Sequence, residues 1–158
     1  MLNNITHIVD GYLNLAAAAK TALRRSKPSA PLKLLLDDHQ IIGRVLDYGC
    51  GHGADVAHLK SLGYDVVGWD PTWSTDILQG KFDTILCTYV LNVVSEKDAD
   101  EIAKATREYL RNDKCGGKIF YTVRADTKDT DTQRLVTAIP KAKIYTKSSG
   151  FVVWCYEQ

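Results

Sequence analysis

The sequence predicts an α/β fold: a mainly parallel sheet with helices on both faces and an antiparallel hairpin at its C-terminal end. Three observations predict it. Arg44 to Tyr48 is a short apolar run that enters the glycine turn Gly49-Cys50-Gly51-His52-Gly53, and a helical pattern follows at once. Strand-like and helix-like runs then alternate, which with right-handed crossovers gives parallel strands. Phe82 to Tyr89 is almost uninterruptedly apolar, as a strand covered on both faces should be.

The elements follow in order. His7 to Arg25 reads as a helix, with Leu13, Leu15, four consecutive alanines and Leu23; Lys27-Pro28-Ser29 breaks it. Pro31 to Asp38 reads as a short helix capped by Ser29, with Pro31 in its first turn. After the Arg44–Tyr48 strand, Ala54 to Leu62 is a helix stopped by Gly63. Tyr64 to Trp69 is the second strand and Phe82 to Tyr89 the next. Ser95 with Asp98 makes a capping-box pattern, and Ala99, Ile102, Ala103, Thr106, Tyr109 and Leu110 line one face of the helix it opens. Gly116-Gly117 turns into a strand from Lys118 to Val123. Lys143 to Thr146, the turn Lys147-Ser148-Ser149-Gly150 and Phe151 to Tyr156 read as a hairpin.

The 158 residues fit one domain, 1–158, with a helical N-terminal segment over 1–40 and a Rossmann-like core over 41–158. Apolar residues at 45% and charged residues at 25% exclude collagen-like and wholly disordered chains. A formal charge of +1 argues against a dominant polyanion-binding surface, although residues 1–34 are locally basic: Lys20, Arg24, Arg25, Lys27 and Lys33 stand against Asp10, with Asp37 and Asp38 just beyond. No apolar run approaches a membrane span, and Met1-Leu2-Asn3-Asn4 does not open like a secretory signal. A soluble, cytoplasmic protein with no membrane partner is the expectation. Cys50, Cys87, Cys115 and Cys155 are far apart and the four histidines are scattered, so neither a metal site nor a disulfide framework is expected.

The glycine turn carries the chemistry. Glycines there let the backbone turn sharply and let a nucleotide-like ligand approach closely. Asp70 ends the next strand, placed to accept hydrogen bonds from ribose hydroxyls. Two ligand classes fit. Gly49, Gly51 and Ala54 match a dinucleotide fingerprint, but Asp47 stands two residues before Gly49. Its carboxylate would repel a pyrophosphate and attract the ammonium or sulfonium of S-adenosylmethionine, so the second ligand is preferred.

Asp47-Tyr48-Gly49-Cys50-Gly51-His52-Gly53 resembles the first motif of the class I S-adenosylmethionine-dependent methyltransferases. Asp70 matches that family's acidic residue after the second strand, and Phe82-Asp83-Thr84-Ile85-Leu86 its fourth-strand motif. More narrowly, Lys27-Pro28-Ser29-Ala30-Pro31, Gly68-Trp69-Asp70-Pro71 and Tyr89-Val90-Leu91-Asn92-Val93 are similar to methyltransferases of bacterial DNA-phosphorothioation loci and their phage relatives. The resemblance implies S-adenosyl-L-methionine as cofactor, with Asp47, Gly49, Cys50, Gly51, Gly53, Asp70, Pro71 and Tyr89 around it. It also implies a departure. Only Pro71 to Lys81 separate Asp70 from Phe82, so the family's third strand must be shortened or absent, and Trp73, Asp76 or Ile77 could cover the adenine instead.

Tyr89 and Asn92 follow an apolar strand at the carboxyl end, where parallel sheets open their crevice; they are the candidates for a catalytic role, against a structural one. Cys50 reads as a small buried residue of the motif rather than a nucleophile, and His52 as a helix-capping or solvent-facing residue before a catalytic one. Neither an Asp/Asn-Pro-Pro-aromatic sequence nor a Pro-Cys nucleophile is present, which argues against the familiar DNA base methylases. The acceptor is expected to be nucleic acid, with Lys20, Arg24, Arg25 and Lys27 on phosphates, against a solvated face that merely covers the cofactor. The alternatives are a non-catalytic cofactor-binding sensor or interaction protein of the same fold and, further off, a nicotinamide-dependent reductase.

Overall fold

The computed structural model describes residues 20–75, 77–125 and 130–158. Six strands form one sheet: β1 (Val45–Tyr48), β2 (Val66–Trp69), β3 (Thr84–Thr88), β4 (Lys118–Arg124), β5 (Lys143–Lys147) and β6 (Phe151–Glu157), in the order β2-β1-β3-β4-β6-β5. Strands β2, β1, β3 and β4 are parallel, while β6 runs antiparallel to both β4 and β5. The helices are α1 (Ala30–Asp37), α2 (Ala54–Ser61), α3 (Glu96–Tyr109) and α4 (Thr130–Ala138).

Strand alternation divides the core in two. Successive side chains of a strand point to opposite faces. Leu46, Ile85, Cys87, Ile119 and Tyr121 pack on one face with Ala99, Ile102 and Ala103 of α3 and Leu135 of α4. Val45, Leu86, Phe120 and Val153 pack on the other with Leu32 and Leu35 of α1 and Val56 and Leu59 of α2. Both faces are covered, as the apolar strands require. The chain lays β1 in the sheet, steps outward to β2, then crosses back past β1 to β3. Open α/β sheets bind ligands at such a reversal, beyond the carboxyl ends of the strands.

The caps are those the sequence marks. The Ser29 hydroxyl accepts the Leu32 N–H at 3.3 Å and that of Ser95 accepts the Asp98 N–H at 3.2 Å. The Ser95 hydroxyl also donates to the Asp98 carboxylate at 2.7 Å. Among the described residues no strand lies between Trp69 and Thr84, so β2 is the edge of the sheet. There the chain makes a tight turn bridged from Asp70 to Ser74, and the Ser74 hydroxyl donates to the Gly68 carbonyl at 3.0 Å.

Two expectations need correction. The first helix does not reach Arg25: Lys20 and Thr21 are helical, Ala22 to Arg25 are not, and the earlier part from His7 lies outside the described residues. Leu23 is 75% exposed, so continuing the helix would bury nothing to offset its cost. Conversely, α4 lies in a tail that the sequence reading left unassigned. Leu135 and Ala138 are buried on the helix and Ile139 just beyond its end, but Thr130, Asp131, Thr132 and Thr137 are weak helix formers and hide the period. Tertiary burial outweighs that propensity.

Candidate active site

The carboxyl ends of β1, β2 and β3 open into a cleft of ≈ 530 Å³. That is within the roughly 300–1,000 Å³ typical of small-molecule sites. The glycine turn follows β1 directly. Gly49 and Cys50 both donate backbone N–H groups to the Trp69 carbonyl, at 2.7 and 3.0 Å, which pins the turn over the end of β2. Gly49 has φ of +82°, and a Cβ there would stand 2.4 Å from Val90 Cγ2, so only glycine fits. At Gly53, by contrast, nothing lies within 4 Å of where a Cβ would be. The turn is therefore clamped at one end and open at the other, a cradle that admits a ligand against bare backbone.

Of the residues expected around a cofactor, Gly49, Cys50, Gly51, Gly53, Asp70, Pro71 and Tyr89 all line this cleft. Asp47 does not. It is 3% exposed and lies beneath the turn, on the strand face it shares with Val45. Burial pushes its carboxyl up to about 8; Asp55 nearby adds to the shift and Arg25 opposes it. Asp70 holds the turn from the other strand: its carboxylate accepts from Gly51 N–H at 3.0 Å, Thr72 N–H at 2.9 Å and Trp73 N–H at 3.1 Å. Among the described residues no group of His, Cys, Asp and Glu could hold a metal ion. No described helix is long and apolar enough to cross a membrane.

Residues 13–148 match the family described as the methyltransferase domain. The chain belongs to that family. No curated protein sequence matches it. Among solved structures, this methyltransferase domain is similar to magnesium protoporphyrin IX methyltransferase (ChlM) from Synechocystis PCC 6803 with bound SAM. The TM-score is 0.58 at 16% identity, over 100% of this chain and 98% of that one. It is also similar to the glycopeptide N-methyltransferase MtfA complexed with S-adenosyl-L-homocysteine, with a TM-score of 0.62 at 11% identity over 84% and 88% of the two chains. A TehB-like SAM-dependent methyltransferase from Corynebacterium glutamicum ATCC 13032 aligns with a TM-score of 0.58 at 17% identity over 96% and 98%. At such identities the likeness is one of fold.

The methyltransferase domain treats its remaining candidates unequally. Tyr89 lines the cleft just after β3 with φ of +60°, a conformation rare for a bulky residue, and its N–H donates to the Thr122 carbonyl at 2.9 Å. Burial raises its hydroxyl pKa against the pull of Arg25 and Arg124, so at neutral pH it is a hydrogen-bonding phenol and not a base. Asn92 also lines the cleft, but both ends of its amide are committed. Nδ2 donates to Asp131 at 2.8 Å and Oδ1 accepts from Arg124 N–H at 3.2 Å. Burial pushes the Cys50 thiol up to about 12, which leaves it un-ionised and a poor nucleophile. His52 packs its ring against Trp73, centroids 4.1 Å apart. Trp73 and Ile77 are exposed, and Asp76 lies outside the described residues.

Sequence reasoning missed Asp55. This buried carboxylate in the first turn of α2 accepts from both the N–H and the hydroxyl of Ser29, each at 2.7 Å, and stands 3.9 Å from the Arg25 guanidinium. It thereby ties the segment before α1 to the helix that follows the glycine turn. Arg25, grouped in the sequence with Lys20, Arg24 and Lys27, lines the cleft, and all four are exposed. The only signal was an acidic residue at a helix start, which ordinarily means a solvated charge near the helix dipole.

Proposed function

We propose that this cleft binds S-adenosyl-L-methionine and that the protein is a cytoplasmic methyltransferase acting on nucleic acid. The observation that carries the cofactor is the glycine turn Gly49 to Gly53, open at Gly53, bounded by Asp70 and underlain by the buried acid Asp47. Glycine backbone at the carboxyl end of β1 admits the amino-acid portion. Asp70 retains acceptor capacity for a ribose hydroxyl, because two carboxylate oxygens offer about four lone pairs and three are engaged. Asp47 offers the cationic portion a negative partner in a poorly solvated place, where Coulomb attraction is strong.

When bound, this cofactor supplies a methyl group already activated on a sulfonium. What remains for the chain is positioning. Aligning an acceptor lone pair with the methyl carbon can account for much of the rate. Tyr89 is the cleft residue placed to orient the acceptor: its strained backbone sets the ring at the wall, and its protonated hydroxyl can donate a hydrogen bond. Asn92 holds the loop after β3 in register with β4 and α4, so its contribution is to shape the wall.

The nucleic-acid acceptor is supported by the exposed Lys20, Arg24 and Lys27 beside the cleft-lining residues Thr21 to Leu23, and by the narrower resemblance to enzymes of DNA-phosphorothioation loci. Calorimetry with S-adenosylhomocysteine tests the cofactor, and absence of binding at high micromolar ligand would sink the proposal. Mass-spectrometric tracking of labelled methyl into DNA, RNA, protein and metabolite fractions tests the acceptor. Label found only in metabolites would refute nucleic acid.

A further inference from the structure

Resting on that cofactor assignment, we propose that Arg25 is the residue that receives the α-carboxylate of the cofactor's amino-acid portion, and that the Ser29–Asp55 contact positions it. Arg25 comes from outside the sheet, yet it lines the same cleft as Gly49 to Gly53. The segment that carries it packs directly on the turn: a Cβ on Gly51 would touch the Ala22 Cβ at 3.4 Å. The segment therefore borders the turn at Gly51, and an amino acid laid over the open Gly53 end would lie beside it.

The charges match a zwitterion. Asp47 beneath the turn is the acid suited to the ammonium and sulfonium. Arg25 is the one basic side chain contributed to the cleft wall by the described segment before α1, and it lies near enough to influence Asp47 electrostatically. A guanidinium presents five N–H donors in a planar fork that matches a carboxylate. Its recorded partner, Asp55, leaves that fork usable. The closest approach is 3.9 Å, longer than a direct charged hydrogen bond, and the Asp55 oxygens are already engaged by Ser29 N–H and Oγ at 2.7 Å. Asp55 attracts the guanidinium without saturating it. Because the N–H of the residue that caps α1 is fixed to the first turn of α2, the three residues between Arg25 and Ser29 cannot swing the guanidinium far.

The test compares two ligands that differ in the amino-acid portion: S-adenosylhomocysteine, which carries the carboxylate, and methylthioadenosine, which does not. Calorimetry on the full chain should show Arg25→Gln weakening S-adenosylhomocysteine by about tenfold or more, the usual scale for a lost charged hydrogen bond, with methylthioadenosine changed less than about twofold. Arg25→Lys should recover part of the loss. Ser29→Ala, which removes one Asp55 contact, should show a smaller loss with the same ligand selectivity, and Ser29→Thr should restore it. Equal weakening of both ligands, or no weakening of either, overturns the proposal. Should the unmodified protein bind methylthioadenosine but not S-adenosylhomocysteine, the Arg25 role falls and the nucleoside site stands. Should it bind neither, the cofactor assignment itself falls, and Arg25 with it.

Discussion

The Gly51 N–H donates to the Asp70 carboxylate at 3.0 Å, so the turn after β1 is fastened to the end of β2 by the side chain expected to hold ribose. The other Asp70 oxygen accepts from Thr72 and Trp73, which closes the turn that replaces a third strand. One carboxylate thus organises both walls of the cradle. Asp70→Ala removes all three acceptor contacts and should cost about 1–3 kcal/mol, or several degrees in Tm, together with at least a tenfold loss of S-adenosylhomocysteine affinity. Asp70→Asn keeps one acceptor oxygen and should lose less of both. Thermal melts and calorimetry on the two variants check this. Undiminished affinity in Asp70→Ala would remove Asp70 from the site.

Asp47 makes stability and binding depend on pH in opposite senses. Its carboxyl is raised to about 8, chiefly by burial, whereas in the unfolded chain it titrates near the ordinary value of 3.8. The folded state therefore holds a proton that the unfolded state has lost. Stability is unaffected by Asp47 below about pH 4, falls as pH rises towards 8, and is level above it. A cationic ligand reverses the preference and expels the proton. Affinity for S-adenosylmethionine should rise between pH 6 and 8, and calorimetry in buffers of different ionisation enthalpy should detect proton release. Asp47→Asn should flatten the stability profile, stabilise the ligand-free protein at pH 8 and weaken binding.

Gly49 is the position in the turn with no room for substitution. Gly49→Ala places a Cβ 2.4 Å from Val90 Cγ2 at a φ of +82°. The strained conformation alone costs on the order of 1–3 kcal/mol, and the overlap adds to it. Val90→Ala in the same chain relieves the overlap and leaves the strain, so the double variant should melt above Gly49→Ala and below the unmodified protein. Gly53→Ala meets no atom and carries strain only. It should fold nearly as well as the double variant while obstructing the open end of the cradle, and so lose cofactor affinity out of proportion to stability.

What was legible in the sequence was what local chemistry encodes. The Ser29 and Ser95 caps, the glycine turn and the apolar β3 run each announce themselves within a few residues, and the short interval from Asp70 to Phe82 leaves too little chain for another strand. The residues that connect distant segments were not legible. Asp55 meets Ser29 across 26 positions and Asn92 meets Asp131 across 39, and nothing in the local pattern of either marks a partner. Asp47 is visible in the sequence as an acid two residues before Gly49, yet its depth beneath the turn follows from α2 packing over that face of β1, which periodicity alone does not reveal.

Asn92 is where a catalytic reading and a structural one separate most cleanly. Its amide spans from β3 to the Arg124 N–H of β4 and to Asp131 at the start of α4, and Asp131 is itself 3.6 Å from Arg134. Removing the amide leaves a buried carboxylate short of one donor and a backbone N–H short of its acceptor. Asn92→Ala should therefore cost about 1–3 kcal/mol of stability. Asn92→Asp should be worse, because it replaces the donor to Asp131 with a second negative charge. Cofactor affinity should change little in either, since both amide ends are already bonded, to Asp131 and to the Arg124 N–H. A catalytic Asn92 would behave otherwise: Asn92→Ala would abolish methyl transfer at an unchanged Tm. Melting temperature, S-adenosylhomocysteine affinity and single-turnover transfer measured on the same variant distinguish the two, and the bonds of the amide to Asp131 and Arg124 lead us to expect the first pattern.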